Sequence, residues 1–169
     1  MFYIGIDQSL TSTGIVILDE DAKIFASTII NSKEKGVKRL SDLSKKITEY
    51  LKNYNPPKMI KIFIEGYSFG SRLGQAFSIG EWGGVLRKSL YELGYNIAVI
   101  PPTSLKKFIT GKGNAKKELM LKEVFKKYNV DFTDNNLADA YGLARMAWSI
   151  DKQSKLLNYE KEAIKAITL

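Results

Sequence analysis

Hydrophobic residues recur along the chain either in short runs or at helical spacing, and the two patterns alternate. Short runs rich in β-branched residues predict strands over 2–7, 13–19, 23–30, 59–66 and 95–100. Helical spacing predicts helices over 34–54, 75–93, 103–109, 116–128 and 137–150, with a polar helix after them. We expect Gly80, Gly83 and Gly84 to interrupt the second helix. The order predicts an α/β fold with a mixed sheet flanked by helices.

The composition limits the kinds of site that the chain can form. A length of 169 residues suits one domain, 1–169, and no apolar run has the length of a membrane span. The N-terminus shows no secretion signal, so we expect a cytoplasmic protein. The chain has no cysteine and no histidine, which excludes disulfides, thiolate sites, zinc–histidine sites and Ser-His-Asp triads. Oxygen ligands must hold any metal, which favours magnesium or manganese.

The charge balance favours a polyanionic binding partner. With 26 Lys and Arg against 18 Asp and Glu, the net charge is +8. Nucleic acid is the commonest partner of such a chain, although a basic surface without a polyanionic partner has the same composition.

Three carboxylates occupy positions where they can meet. Asp7 and Glu65 each end an apolar strand, and Asp139 lies on an apolar helix, on one face with Asn136 and Leu143. If the two strands are parallel neighbours, the acids share one edge of the sheet, where α/β proteins bind ligands. Taken singly, each acid also fits an ordinary turn, rim or helix-dipole position.

A divalent cation would remove the repulsion among these acids. Three carboxylates facing one another would otherwise have raised pKa values. Two such ions, about 3.5–4 Å apart, clamp the attacking and leaving oxygens of a phosphoryl displacement and make a histidine base unnecessary.

A basic segment over 104–127 contains a glycine-rich loop, GKGNA, that leads into a helix N-terminus. Backbone N–H groups at such an end can hold phosphate, giving affinity that depends on salt but not on sequence. A solvated basic helix face is the alternative. The lysines proposed to contact DNA are Lys106, Lys107, Lys112, Lys116 and Lys117.

The loop GYSFGSR follows Glu65 directly and carries Tyr67, Phe69 and Arg72. Its aromatic residues either face the core or stack on an exposed or unpaired base.

Four motifs taken in order give the chain a family resemblance. IGIDQSLTSTG, IFIEGYSFG, PPTSLKKFITGKGNAKKELM and NNLADAYGLA resemble the RuvC family of Holliday-junction resolvases, especially its phage-encoded branch, over about residues 2–150. The resemblance implies an RNase H-like fold, with a five-stranded mixed sheet and helices on both faces. It also implies a homodimer that cuts four-way DNA junctions by symmetric nicking with Mg²⁺ or Mn²⁺.

The resemblance also implies roles for particular residues. Asp7, Glu65 and Asp139 match the family's metal ligands on the first strand, the fourth strand and the last core helix. Lys106 and Lys117 match basic residues that act on the scissile strand.

The chain departs from the family pattern at two positions. Where the family has an aromatic residue that enters the junction, this chain has Ser68, so Tyr67 and Phe69 are candidates by proximity. One turn before Asp139, where an acid or a histidine is typical, it has Asn136. That residue is either natural, with altered metal preference, or an engineered change from aspartate.

Three hypotheses follow. The first is a metal-dependent, structure-selective DNA endonuclease with Asn136 as a fourth ligand and Lys117 in the catalytic set. The second is a DNA-binding protein whose metal site is crippled by Asn136. The third rests on DQSLTSTG, which looks like a phosphate loop of sugar kinases and actin-like ATPases. Those enzymes need two such domains, which 169 residues cannot hold.

Overall fold

The computed structural model describes residues 1–54, 60–67, 73–165 and 167. The strands are β1 (Phe2–Asp7), β2 (Thr13–Leu18), β3 (Ile24–Ile30), β4 (Ile60–Glu65) and β5 (Asn96–Ile100). The helices are α1 (Gly36–Lys52), α2 (Leu73–Glu92), α3 (Pro102–Thr110), α4 (Lys117–Tyr128), α5 (Asn135–Asp151) and α6 (Asn158–Lys165). The strand order is β3-β2-β1-β4-β5, with β2 antiparallel to its neighbours and β1, β4 and β5 parallel. The predicted mixed sheet with flanking helices is confirmed.

The second helix differs from the prediction, because α2 is continuous through Gly80, Gly83 and Gly84. Its buried side chains, Trp82, Leu86 and Leu90, pack on the sheet. This packing outweighs the low helix propensity of glycine. The predicted end of the first helix at 55–57 lies outside the described residues. In the part of the chain that the structure describes, no helix has the length and apolar character of a membrane span.

The sheet separates two hydrophobic layers, and alternation along β1 assigns its residues to one or the other. Ile4 and Ile6 belong to the layer under α1 and α2. Tyr3 belongs to the layer under α3, α4, α5 and α6. Successive side chains of a strand point to opposite faces, so Gly5 and Asp7 share the α5 face with Tyr3.

Helix α5 lies against β1 at backbone contact. A Cβ atom at Gly5 would overlap the carbonyl oxygen of Ala140 and lie 2.6 Å from the amide nitrogen of Ala144. At the C-terminal end of the helix, Asp151 accepts a hydrogen bond of 2.5 Å from the Tyr3 hydroxyl and pairs with Lys61. The helix is therefore fixed both along its length and at its far end.

We expect the Gly5→Ala variant to be destabilised by roughly 3 kcal/mol, the upper end of the range for overpacking, because the added methyl group meets backbone that cannot move aside. Chemical denaturation monitored by circular dichroism measures the change. The matched control is Gly80→Ala, where nothing lies within 4 Å of the new Cβ atom. This helix position should gain about 1 kcal/mol. Equal stability of the Gly5→Ala variant and the wild type would contradict the close approach.

Candidate active site

The parallel strands β1 and β4 bring two carboxylates together at one edge of the sheet. Ile6 is in register with Ile64, so the next residues, Asp7 and Glu65, end neighbouring strands at the same level. Helix α5 adds its own residues above them. A pocket of about 300 Å³ at this edge has a lining that includes Asp7, Gln8, Ser9, Glu65, Gly66, Tyr67, Pro102, Lys106, Lys117, Met120, Asn136 and Asp139.

Burial raises the pKa values of the three acids, and repulsion between carboxylates adds to the shift in Asp7 and Asp139. For Asp7, burial is the largest cause of the raised pKa, followed by the charge of Glu65 and a hydrogen bond between the two carboxyls. Burial also raises the pKa of Glu65, although the bond to Asp7 opposes it. The pKa of Asp139 rises to about 7, through burial and then the charge of Glu65. Without a cation, the cluster therefore retains protons that exposed carboxyls release.

Two lysines oppose these shifts. Lys117, the first residue of α4, lowers the pKa of all three acids, and Lys106 on α3 lowers those of Glu65 and Asp139. Both line the pocket beside the carboxylates. The site thus combines negative groups at its floor with positive groups that could face a phosphate.

The N-terminus of α5 fixes the orientation of Asn136. Its Nδ2 atom donates a hydrogen bond of 2.8 Å to the carbonyl oxygen of Ser12 in the β1–β2 loop, so Oδ1 is the end of the amide that does not bond to this loop. Asp134 caps the helix by accepting from the amide of Asn136 at 2.7 Å and that of Leu137 at 3.4 Å. The Asp134 carboxylate is therefore engaged in capping and does not line the pocket.

The other lysines of the basic segment lie away from the acids. Lys107 forms an ion pair of 2.6 Å with Glu162 on α6. Lys112 and Lys116 are exposed, and neither lines the pocket. They extend the positive surface along the α3–α4 connection.

Of the residues proposed for the loop after Glu65, only Tyr67 is described. It is 39% exposed, its hydroxyl donates to the carbonyl oxygen of Gly80 at 3.2 Å, and the Arg87 guanidinium lies 5.3 Å from its ring centroid. Ser68, Phe69 and Arg72 lie outside the described residues.

Sequence reasoning missed one buried polar residue of the pocket, Gln8. It follows Asp7 directly and is 7% exposed. The signal was present, because Gln8 continues the alternating positions of Ile4 and Ile6 toward the α2 side of the sheet.

The donor chemistry of the pocket fits a hard divalent cation. The acids supply only oxygen atoms, and burial raises their pKa values even though Lys106 and Lys117 lower them in part. Among the described residues, no three acidic side chains converge tightly enough to form a finished metal site. A cation would have to draw the three acids closer together.

Comparison with known structures defines the class of the fold. The Thermus thermophilus RuvC structure has a TM-score of 0.73 at 20% identity, with 93% of this chain and 100% of that one covered. T. thermophilus RuvC in complex with a Holliday junction substrate also has a TM-score of 0.73, at 18% identity, with 93% and 99% covered. The mixed sheet is therefore an RNase H-like fold.

Sequence comparison then assigns the family. The profile described as "Crossover junction endodeoxyribonuclease RuvC" matches residues 3–147. The curated protein of that description from Ehrlichia canis (strain Jake) is 31% identical over 151 residues, covering 85% of this chain and 94% of the relative. The one from Dictyoglomus thermophilum is 29% identical, covering 85% and 93%. The chain belongs to the RuvC family, as its motifs predict.

We expect the stability of the metal-free protein to fall as the pH rises toward neutrality. Burial raises the pKa of Asp139 from 3.8 to about 7. The contribution of the protonated group is complete below about pH 4 and is lost as the pH rises through about 7, because the unfolded chain releases this proton earlier.

The measurement is the melting temperature between about pH 5 and about pH 8 in a buffer with chelator. The Asp139→Asn variant cannot ionise at this position, so its melting temperature should decline less over that range. Parallel profiles for the wild type and the variant would show that Asp139 does not carry the effect.

Proposed function

We propose that this chain is a metal-dependent, structure-selective endodeoxyribonuclease that resolves four-way and other branched DNA junctions by symmetric nicking. The observation that carries the proposal is the acidic cluster of buried Asp7 with half-buried Glu65 and Asp139, flanked by Lys106 and Lys117 in one pocket. Membership of the RuvC family supports the same reaction.

The three carboxylates would hold Mg²⁺ or Mn²⁺, with two ions at each site. Asn136 would add a neutral ligand through Oδ1, since its Nδ2 atom is bonded to Ser12. Bound ions of this kind activate water and stabilise the charge that develops on a phosphate. Asp7 and Glu65, fixed at the strand ends, provide the rigid half of the ligand set, and Asp139 completes it from α5.

The lysines would bind and orient the DNA backbone. Lys117 and Lys106 face the pocket, where their charges can contact the scissile phosphate. Lys107, Lys112 and Lys116 would extend the contact along neighbouring phosphates, giving affinity that falls with salt. The loop containing Tyr67, Phe69 and Arg72 would contact the branch point through its aromatic residues.

Symmetric nicking of two strands requires two active sites, so the proposal includes a homodimer. Because the motifs resemble the phage-encoded branch of the family, we also propose that a bacteriophage encodes this chain. The site of action would then be the cytoplasm of the bacterial host.

We expect Asp7→Asn to reduce the rate of junction cleavage by about 10²–10³-fold, the range for removal of one electrostatic contact in an active site, while junction binding is retained. The measurements are cleavage of a labelled four-way junction with Mg²⁺ and a gel-shift assay with chelator. The matched control is Asp21→Asn at an exposed position of the β2–β3 turn, which should cleave like the wild type. Lost binding with unchanged cleavage per bound complex would contradict the proposal.

The second candidate function is junction binding without cleavage, with Asn136 as the residue that weakens the site. The bond from Asn136 to Ser12 indicates that the amide stabilises the site, because an aspartate there would place a carboxylate oxygen against the Ser12 carbonyl oxygen.

We therefore expect the wild type to cleave with Mg²⁺ or Mn²⁺ and Asn136→Asp to bring no gain in rate. Both proteins are assayed on the same four-way, three-way and linear substrates. An inert wild type together with an active Asn136→Asp variant would assign the chain to the binding function instead.

A further inference from the structure

The side chain of Gln8 links the ends of the two strands that carry the acids. Its Nε2 atom donates a hydrogen bond of 2.7 Å to the backbone carbonyl oxygen of Glu65. The register between β1 and β4 runs to Ile6 and Ile64, so this side-chain bond lies just beyond it. Gln8, the residue that follows Asp7, is therefore bonded to the main chain of Glu65.

The other end of the Gln8 amide faces α2. Its Oε1 atom is buried and accepts no hydrogen bond from the described residues. A Cβ atom built on Gly83 would lie 2.8 Å from this oxygen and would overlap the hydroxyl of Tyr67. Gly83 thus leaves the space that both polar groups occupy.

Tyr67 contacts the same face of α2 as Gln8. Its hydroxyl donates to the carbonyl oxygen of Gly80, and Arg87 lies over its ring. Positions 80, 83 and 87 share one face of a helix. The backbone of Glu65 is therefore held through Gln8, and the chain just after it is held through Tyr67.

We propose that Gln8 and Tyr67, seated against Gly83, are positioning residues that fix Glu65 relative to Asp7 and thereby set the affinity of the site for divalent ions. The inference rests on the proposed nuclease function. Carboxylates on neighbouring strands repel each other, so the side-chain bond from Gln8 to the Glu65 backbone keeps both strand ends within reach of the same ion. A misplacement of about 1 Å in an active site can reduce a rate by about a hundredfold.

The first test replaces Gln8 with methionine, which has similar length and no N–H donor. Electron paramagnetic resonance measures Mn²⁺ binding to the protein without DNA, so the readout does not depend on cleavage. We expect the Mn²⁺ affinity of Gln8→Met to fall about tenfold, the lower end of the range for residues that orient metal ligands. The Mg²⁺ concentration for half-maximal cleavage should rise by a similar factor, with junction binding in chelator unchanged.

The second test uses two adjacent glycines of α2. Gly83→Ala introduces a methyl group against Tyr67 and Gln8, whereas Gly84→Ala introduces one into open space. We expect Gly83→Ala to weaken Mn²⁺ binding and Gly84→Ala to match the wild type in binding and cleavage. If Gly83→Ala does not fold, the Gln8→Met result decides the question.

The outcomes separate this inference from the proposed function. A wild type that neither binds Mn²⁺ in an Asp7-dependent manner nor cleaves junctions would overturn both. An active wild type with unchanged Mn²⁺ affinity in Gln8→Met would overturn the positioning role alone. A lower melting temperature of Gln8→Met with wild-type Mn²⁺ affinity would also overturn it, because Gln8 would then serve stability only.

Discussion

The architecture depends on how closely one helix can approach one strand. Helix α5 lies on β1 at a distance that the absence of a side chain at Gly5 permits. At this separation Asp139 reaches the level at which β1 and β4 end. A larger residue at Gly5 would lift the helix and withdraw Asp139 from the other acids. Interiors are packed too densely to absorb such a shift elsewhere.

The price of this convergence is electrostatic. Asp7 is buried and Glu65 and Asp139 are half-buried in the same pocket, and burial is the largest cause of the raised pKa in each. Lys106 and Lys117, which line the same pocket, offset part of the repulsion and lower the pKa values of Glu65 and Asp139. The fold therefore supplies the energy that holds the acids together, and the lysines limit how much is required. The pocket thus brings carboxylates and ammonium groups together in one place.

Much of this acidic site could be predicted from the amino-acid sequence alone. Asp7 and Glu65 end apolar runs, and parallel neighbours place such residues at one sheet edge. Asp139 stood out because a carboxylate is unfavourable on an apolar helix face. The four motifs in order indicated the family, which the comparisons confirm. These features are local, or depend on strand order alone.

Other features depend on contacts between distant segments, which local patterns do not specify. The continuity of α2 through its glycines results from the burial of Trp82 and its neighbours against the sheet. The pairing of Lys107 with Glu162 joins residues on separate helices and gives no signal in either segment. The sequence does not single out Gln8, because the neighbouring Asp7 already accounts for a polar residue at the end of the first strand. Its bond to Glu65 becomes visible only when both strands are in place.

The bond between Asn136 and Ser12 has a consequence for the geometry of the pocket. An amide has two different ends, whereas the two oxygens of a carboxylate are interchangeable. Because only Nδ2 can donate to the Ser12 carbonyl, the side chain cannot flip by half a turn without losing this bond. Any group that enters the pocket therefore meets one oxygen of known direction, already ordered before binding. Compared with an aspartate, Asn136 has no formal charge but presents an amide dipole of fixed direction. Because its side chain is already held by this bond, it loses less conformational entropy when a ligand binds than an unrestrained side chain would.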